Sequence, residues 1–232
     1  MSQLKLLDLF CGAGGCSVGY SRAGFDVTGV DVAAKTGKRY PFEFVHADAL
    51  EVLADRAYLD TFDAIHASPP CQLYSITNNT HKKAHPDLLP PVHAALIAWG
   101  GPWVIENVPG ALVLCGSEFG LEAWDGDRRV TLRRHRLFMS NIDLMGAGGC
   151  MCAEDRAKGR IAGVYGNGAT SVERARARAG GYTPPSVEVR KRLMGINWML
   201  RDELSQAIPP AYTEFIGEQL LAHLSELSRE VP

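Results

Sequence analysis

The amino-terminal half of this chain alternates short apolar runs with segments of helical spacing, and this alternation restricts the fold more than any other feature. Helical spacing is found over Cys16–Ala23, which ends at Gly24, and over Leu88–Trp99. Strands that alternate with helices form right-handed βαβ units around a parallel sheet. We therefore predict an α/β fold in which helices cover both faces of a mostly parallel central sheet. Runs with the length and composition of buried strands occupy Leu4–Phe10, Phe25–Val32, Phe42–His46, Phe62–Ala67 and Trp103–Ile105.

The carboxyl-terminal half is organised differently. Glycine and arginine crowd together between Met139 and Tyr182, and no regular periodicity continues through this stretch. Ser186 is placed to cap a short helix that ends at Met194, and Pro209-Pro210 opens a final amphipathic helix. We predict a main domain over residues 1–138, a small irregular basic insert over 139–182, and a segment over 183–232 that returns to the main domain.

The charge of the chain is unevenly distributed. The formal net charge is −2, yet residues 128–192 contain about 14 Lys and Arg against 5 Asp and Glu, whereas the remainder contains about 10 against 21. A basic segment on an acidic body is able to bind a polyanion such as double-stranded DNA, although a solvated charged surface has the same composition. We expect residues 128–192 to provide a polyanion-binding face.

Other bulk features exclude several classes of protein. No apolar run approaches the roughly 20 residues that a membrane-spanning helix needs, so we expect no membrane partner. The short apolar run at the start of the chain contains Asp8 and is typical of a buried strand, not of a signal peptide. Six cysteines scattered through a chain of ordinary core composition indicate a reducing cytoplasm and not a disulfide framework. We expect a cytoplasmic protein, with a monomer favoured.

One cysteine pair, Cys150 and Cys152, has the short spacing that metal sites use, and His135 or Cys115 would supply further ligands. A C-x-C pair without a second pair at metal spacing is weak support for zinc. We therefore expect no metal site.

Glycines and acids stand beyond the carboxyl ends of the first strands, where open parallel sheets bind their ligands. Gly12, Gly14 and Gly15 let the backbone pass close to a ligand. Asp31 follows the second strand, where a carboxylate typically binds ribose hydroxyls, and Asp48 follows the third. The turn lacks the Lys-Ser/Thr of a P-loop and the G-x-G-x-x-G spacing. We predict a site for an adenosine-bearing ligand without a phosphate site; ordinary loop carboxylates are the alternative for the two acids.

Reactive residue types follow the next two strands. Cys71 comes after two prolines at the end of the fourth strand, although a single cysteine is more often a small core residue. Glu106 ends the fifth strand and so places a carboxylate on the same rim of the sheet. The basic cluster Arg133–Arg136 then leads into an apolar strand.

Taken in order, these segments resemble the motifs of the C5-cytosine DNA methyltransferases. DLFCGAGG is similar to the family's first, cofactor-binding motif, and GVDV and HADAL are similar to its two acidic motifs. SPPCQLYS resembles the Pro-Cys-Gln loop that carries the nucleophile, WVIENVPG the Glu-Asn-Val motif, and LRRHRLF the Gln-x-Arg-x-Arg motif. TPPSVEVRKRLMGI and QAIPPAYTEFIGEQLL resemble the ninth and last motifs. The resemblance covers nearly the whole chain outside about 139–182, and it is to a compact, phage-like member from a bacterial or phage-infected cell.

The resemblance implies a Rossmann-like S-adenosylmethionine-dependent methyltransferase fold and transfer of a methyl group to C5 of a cytosine flipped out of DNA, with S-adenosylhomocysteine as product. It implies that Cys71 is the nucleophile, that Glu106 binds N3 and the exocyclic amine of the base, and that Arg136, with Arg134, binds the O2 side or a phosphate. The residues it assigns to the cofactor are Phe10, Cys11, Gly12, Ala13, Gly14, Gly15, Asp31, Val32, Asp48, Ala49 and Pro70. Those it assigns to the substrate are Gln72, Tyr74, Ser75, Thr77, Asn107 and Val108.

The chain departs from the family pattern at four places. Leu132 stands where the family has glutamine, Gln206-Ala207 where it has Asn-Ser, and Pro185-Ser186 where it has Arg-Glu. Only about 44 residues, 139–182, occupy the interval of the target-recognition domain. We expect short or relaxed sequence specificity, with phosphate contacts in place of base contacts. The basic residues expected at phosphates are Arg156, Lys158, Arg160, Arg174, Arg176 and Arg178.

Other functions are compatible with parts of the pattern. In one alternative, the methyl acceptor is RNA or a free cytosine nucleotide. In another, the chain is an inactive accessory protein that binds DNA or the cofactor. Retention of both Cys71 and Glu106 argues against the accessory role. A Rossmann-type oxidoreductase is disfavoured by the spacing of the glycine turn, and a transferred group other than methyl stays open.

Overall fold

A seven-stranded sheet forms the centre of the computed structural model, which describes residues 3–70, 87–106, 112–165 and 182–230. Its strand order is β3-β2-β1-β4-β5-β9-β6, and a separate three-stranded sheet has the order β10-β8-β7. The strands of the described residues are β1 Lys5–Leu9, β2 Asp26–Asp31, β3 Glu43–His46, β4 Ala64–Ala67, β5 Trp103–Glu106, β6 Leu112–Leu114, β7 Glu122–Asp125, β8 Arg128–Leu132, β9 Arg136–Ser140 and β10 Ile161–Ala162.

The five strands predicted from the sequence are neighbours in this sheet and run parallel to one another. β9 pairs antiparallel with β5 and β6, and it is the one reversed strand of the seven. The predicted α/β fold with a mostly parallel sheet is thereby confirmed. Since β1, β2, β4 and β5 share a direction, the residues after their carboxyl ends meet at one edge of the sheet.

Helices cover both faces of the large sheet. Side chains alternate along β1: Leu7 packs with Val92 and Leu96 on one face, and Leu6 packs with Tyr20 and Ile216 on the other. Among the described helices, none combines the length and the apolarity of a membrane span. The helices are α1 Gly15–Ala23, α2 Ala34–Gly37, α3 Ala49–Ala54, α4 Arg56–Leu59, α5 Leu89–Trp99, α6 Cys152–Ala157, α7 Val187–Met194, α8 Arg201–Gln206 and α9 Pro210–Glu230, with a 3₁₀ turn at Gly116–Phe119.

The contact between α1 and α9 brings the end of the chain back to its beginning. Gly19 makes this possible, because a Cβ at that position would lie 2.0 Å from Thr213 Oγ1 and 2.2 Å from the carbonyl oxygen of Pro210. Thr213 Oγ1 also donates a hydrogen bond to the carbonyl of Cys16 at 2.7 Å. The segment before α9 therefore lies against the start of α1, where the glycine turn is.

The small sheet has its own apolar cluster, in which Val130, Leu132 and Val164 pack against Leu193 and Met194 of α7. The sequence did not predict its strands β7 and β8, which precede residue 139, whereas β10 lies inside the predicted insert. The small sheet therefore combines strands from both sides of that boundary. Ser186 caps α7 as predicted, its Oγ accepting from the backbone N–H of Val189 at 3.4 Å.

Candidate active site

A cleft of about 500 Å³ opens at the carboxyl ends of β1, β2, β4 and β5. Cavities of this size are typical of cofactor and small-ligand sites. The residues that line it are Phe10, Cys11, Gly12, Ala13, Gly15, Cys16, Asp31, Val32, Thr36, Ser68, Pro69, Pro70, Glu106, Arg136, Met199, Asp202, Glu203, Gln206, Ala207 and Ile208. The predicted cofactor residues that are absent from this lining are Gly14, Asp48 and Ala49.

The turn after β1 depends on left-handed backbone conformations. Phe10 has φ 61°, an uncommon value for a residue with a side chain, and Gly12 and Gly14 have φ 53° and 83°. Gly15 begins α1, where a Cβ would lie 2.6 Å from the carbonyl oxygen of Ile208. Glycine at this position lets the carboxyl-terminal segment approach the turn closely and complete the cleft.

Two backbone N–H groups hold the Asp31 carboxylate in place. Its Oδ2 accepts from the N–H of Gly12 at 3.0 Å, and its Oδ1 accepts from the N–H of Ala33 at 2.7 Å. Each carboxylate oxygen keeps a further lone pair, so the group is oriented to accept hydroxyl hydrogen bonds. Val32 follows in the cleft wall with 63% of its surface exposed, and an exposed apolar side chain beside such a carboxylate suits a planar ring.

The other predicted acid lies outside the cleft. Asp48 is exposed and caps α3, because its Oδ1 accepts from the backbone N–H of Leu50 at 2.8 Å. Ala49 is buried in the apolar core beneath α3. Gly14, the third absent residue, faces Tyr40 and Pro41.

Glu106 and Arg136 form a charged pair in the wall of the cleft. Arg136 Nε lies 2.9 Å from Glu106 Oε1, and Glu106 is 7% exposed. Burial raises the pKa of Glu106, and the positive charges of Arg136 and Arg134 oppose this rise. The carboxyl group is therefore able to hold a proton at higher pH than an exposed glutamate.

Several predicted site residues lie outside the described residues, so the structure gives no position for them. Cys71 follows Pro70, which lines the cleft, and Asn107 follows Glu106. The residues concerned are Cys71, Gln72, Tyr74, Ser75, Thr77, Asn107 and Val108, together with Arg174, Arg176 and Arg178 from the predicted phosphate contacts.

Arg134 differs from Arg136 in its surroundings. It is fully buried and absent from the cleft lining, and its guanidinium donates to three backbone carbonyls: those of Val164 at 2.8 Å, Ser205 at 2.8 Å and Ala207 at 3.0 Å. It therefore joins the small sheet to the segment that closes the cleft.

A buried polar layer supports the cleft from below. The hydroxyl of Tyr40 donates to Ser17 Oγ at 2.8 Å, and Ser17 in turn donates to Asp8 Oδ2. The ring nitrogens of His66 lie 2.9 Å from the hydroxyl of Tyr20 and 2.8 Å from that of Ser68. Burial raises the pKa of Asp8 to about 7 and lowers that of His66 to about 3, so His66 is neutral at physiological pH.

The segment between α7 and α9 supplies cleft residues that the sequence did not assign. In the sequence, the signal for this wall is the resemblance of QAIPPAYTEFIGEQLL to the family's last motif, in which Gln206-Ala207 replace the usual Asn-Ser pair. Glu203 is fixed by a charged pair with Arg39, whose Nε lies 3.1 Å from both carboxylate oxygens. The unassigned residues from this segment are Met199, Asp202, Glu203 and Ile208.

Comparison with curated proteins shows similarity over about a third of the chain. The chain is 36% identical over 77 residues to the type II methyltransferase M.FnuDI of Fusobacterium nucleatum, which is 31% of this chain and 22% of that protein. It is 36% identical over 78 residues to the type II methyltransferase M.AplI of Arthrospira platensis, which is 32% of this chain and 22% of that protein. The matched stretch thus spans 22% of the length of these relatives.

Solved structures share the fold at low sequence identity. The S. pombe Dnmt2 methyltransferase superposes with a TM-score of 0.61 at 12% identity, covering 96% of this chain and 99% of that one. The Entamoeba histolytica methyltransferase EhMeth gives a TM-score of 0.60 at 13% identity, covering 97% and 99%. Residues 4–112 match the family described as C-5 cytosine-specific DNA methylase, and they include the glycine turn, Asp31 and Glu106. The part of this chain over residues 4–112 is therefore similar to the C-5 cytosine-specific DNA methylases.

Proposed function

We propose that this chain is a DNA (cytosine-5) methyltransferase that uses S-adenosylmethionine and forms a covalent bond between Cys71 and the target cytosine. The observation that carries the proposal is the common cleft: the glycine turn and Asp31 line one part of it, and the Glu106–Arg136 pair and Pro70, which precedes Cys71, line another. A cofactor held at the first part would face a base held at the second.

The cleft residues fit S-adenosylmethionine. A Cβ at Gly12 would meet nothing within 4 Å, which leaves open space beside the turn, and Gly15 admits no side chain at all. Asp31 would bind the ribose and Val32 would pack on the adenine. When bound, S-adenosylmethionine supplies an electrophilic methyl group on a sulfonium. Asp48 lies outside the cleft, so a contact with the adenine amino group would need the ligand to extend beyond it.

Cytosine needs activation before its C5 is a nucleophile, and the chain's residue types suit this requirement. The Cys71 thiolate would add to C6, which converts the ring to an enamine with electron density at C5. Glu106 would bind N3, where its raised pKa favours sharing a proton as the ring accepts electrons. Arg136 would hold the O2 side of the base. C5 would then form a bond to the methyl carbon as the bond from that carbon to the sulfonium breaks, with S-adenosylhomocysteine as the leaving group. After the C5 proton is lost to a base, Cys71 would leave C6 and regain its thiolate form.

The acceptor we propose is double-stranded DNA, from which the target base must leave the stack to reach the cleft. Exposed basic residues of the insert, Arg156, Lys158 and Arg160, would contact phosphates. Gln72, Tyr74, Ser75, Thr77, Asn107 and Val108 would support the extruded nucleotide.

The test is methyl transfer from labelled S-adenosylmethionine to unmethylated duplex DNA, with tRNA and dCMP as competing acceptors. We expect label in DNA as 5-methylcytosine for the wild type and none for Cys71→Ala, with cofactor binding retained by the variant. Label in tRNA or dCMP and not in DNA would show that the acceptor is RNA or a free nucleotide instead of DNA. Cofactor binding without transfer to any acceptor would favour an accessory role.

A further inference from the structure

Three cysteines and one histidine meet where the central sheet joins the small sheet. Cys115 follows β6, His135 lies in the link between β8 and β9, and Cys150 and Cys152 lie at the start of α6. Their four ligand atoms all lie within 4.8 Å of one another. We propose that these four residues bind one structural Zn²⁺ ion.

The distances between the ligand atoms are close to those of a tetrahedral site. Cys115 Sγ lies 3.2 Å from Cys152 Sγ, and His135 Nε2 lies 3.2 Å from Cys150 Sγ. Zn–S bonds of about 2.3 Å and Zn–N bonds of about 2.0 Å place tetrahedral ligands about 3.5–3.8 Å apart. The observed separations, from 3.2 Å to at most 4.8 Å, bracket these values, so the four ligand atoms lie close to the arrangement that a zinc ion needs.

The donor set selects the metal and its role. Three sulfur atoms and one imidazole nitrogen suit zinc and do not suit magnesium or calcium, which prefer oxygen. Four protein ligands fill a tetrahedral sphere, so no position is left for a water or a substrate. None of the four residues lines the cleft. The site is structural and separate from the proposed reaction.

Neighbouring groups already direct hydrogen bonds at one of the sulfur atoms. Cys150 Sγ accepts from the backbone N–H of Cys152 at 3.3 Å and from the hydroxyl of Ser117 at 3.6 Å. Ser117 Oγ is itself held by the N–H of Met151 at 3.1 Å. Such outer hydrogen bonds stabilise a thiolate and orient it toward a metal.

The position of the cluster explains what a metal would do. Among the described residues, Cys115, Cys152 and Ile161 form an apolar cluster of only three buried members, and residues 141–151 contain no helix or strand. A segment with so little core needs another constraint, and a metal that joins three parts of the chain supplies it. His135 also directly precedes Arg136, so the ion would help to hold the charged pair at Glu106.

The first measurement is the zinc content of the full chain, purified with reductant and without chelator and then titrated with Zn²⁺. We expect one zinc per chain, and a Co²⁺-substituted sample with the thiolate charge-transfer band of tetrahedral cobalt. Cys150→Ser and His135→Gln should each lower zinc retention against a competing chelator by at least about tenfold. His223→Gln on α9 is the matched control and should retain one zinc.

A second measurement uses the wild type alone, so it is independent of any effect of a substitution on folding. Chelation of the wild type should lower Tm by several degrees, and Zn²⁺ alone should restore it, since a ligand that binds only the folded state stabilises that state. A reduced, folded chain that neither holds nor takes up zinc would overturn the proposal, and so would a Cys115–Cys152 disulfide in the purified protein. Methyl transfer is not a readout here, so a failure of the proposed function leaves this result unaffected.

Discussion

Burial and charge act in opposite directions on Glu106, and their balance determines what the carboxyl group is able to do. Only 7% of the residue is exposed, which favours the neutral form, whereas Arg136 at 2.9 Å favours the charged form. Burial prevails, and the pKa is raised. A buried carboxyl group with a raised pKa is better suited to share a proton with a ring nitrogen than an exposed glutamate is.

Glu106→Gln keeps the size and hydrogen-bonding capacity of the side chain but removes its ability to transfer a proton. We expect the single-turnover rate of methyl transfer to fall by roughly 100-fold or more, while the Kd for S-adenosylmethionine stays within about twofold. Rapid-quench kinetics and calorimetry measure the two quantities. The exposed Glu51→Gln is the control, and a wild-type rate in Glu106→Gln would remove this residue from the mechanism.

Asp8 and His66 make the stability of the protein depend on pH in opposite senses. The pKa of Asp8 rises from 3.8 to about 7 on folding, so its protonated form contributes stability that is lost as the pH rises through 7. The pKa of His66 falls from 6.5 to about 3, so its neutral form contributes stability that is lost as the pH falls from 6.5 toward 3. Between about pH 4 and 6.5 the two effects offset each other.

Asp8→Asn should expose the contribution of His66. We expect the difference between the two free energies of unfolding, variant minus wild type, to decrease as the pH is lowered from 8 to 4. The decrease should reach about 1.4 kcal/mol per pH unit between pH 7 and 4. Urea unfolding of both proteins at several pH values measures the difference. The exposed Asp26→Asn is the control. A difference between Asp8→Asn and wild type that does not change with pH would contradict the raised pKa of Asp8.

At the scale of elements, Arg134 connects three parts of the chain that no local pattern joins. Its guanidinium holds the end of β10 through Val164 and the end of α8 through Ser205 and Ala207. Its own carbonyl accepts from the hydroxyl of Tyr212 on α9 at 2.6 Å. The sequence predicted a contact with substrate for this residue, and the structure places it behind the cleft wall, where a positioning role is the one its contacts support.

Arg134→Lys should therefore reduce stability, because a single ammonium group does not reach three separated carbonyls and leaves buried acceptors unpaired. We expect a loss on the order of 3 kcal/mol in the free energy of unfolding, measured by urea titration. The exposed Arg192→Lys should change it by less than about 0.5 kcal/mol. An Arg134→Lys protein of wild-type stability that has lost methyl transfer would instead indicate direct contact with the substrate.

At the scale of the whole molecule, the basic segment offers fewer charges to a ligand than its composition suggests. Arg134 and Arg190 are buried, and Arg190 donates to the carbonyl of Pro184 at 2.6 Å. Arg129 pairs with Glu122, and Arg128 lies over the ring of Tyr182. Among the described residues of this segment, these four arginines therefore stabilise the small sheet and are not free to contact a ligand.

We therefore expect short or relaxed target specificity, on the scale of a dinucleotide, because phosphate contacts position a protein without reading sequence. Bisulfite sequencing of duplex DNA after treatment with the protein measures the target, and DNA treated with Cys71→Ala is the control. A target of four or more fixed bases would contradict this expectation and would indicate a reading element beyond the small insert.

Local sequence patterns were sufficient to predict the parallel half of the sheet, the glycine turn and the strand-end residues Asp31 and Glu106. These follow from patterns within one element, since apolar runs, glycines and caps act over a few residues. Asp48 shows the limit of such patterns. Its position after β3 predicts a ligand contact, but its carboxylate caps α3 instead, and the local sequence is compatible with both roles.

The contacts between distant segments could not be predicted in this way and became evident from the folded chain. The cleft wall from Met199 to Ile208, the second sheet and the burial of Arg134 all depend on contacts between segments that are far apart in the chain. The same holds for the four potential zinc ligands, which span residues 115–152. Cys115 and His135 join Cys150 and Cys152 only when the chain is folded. Contacts between residues far apart in the chain leave no periodic trace, because they arise from the summed packing of elements and not from the preferences of any one of them.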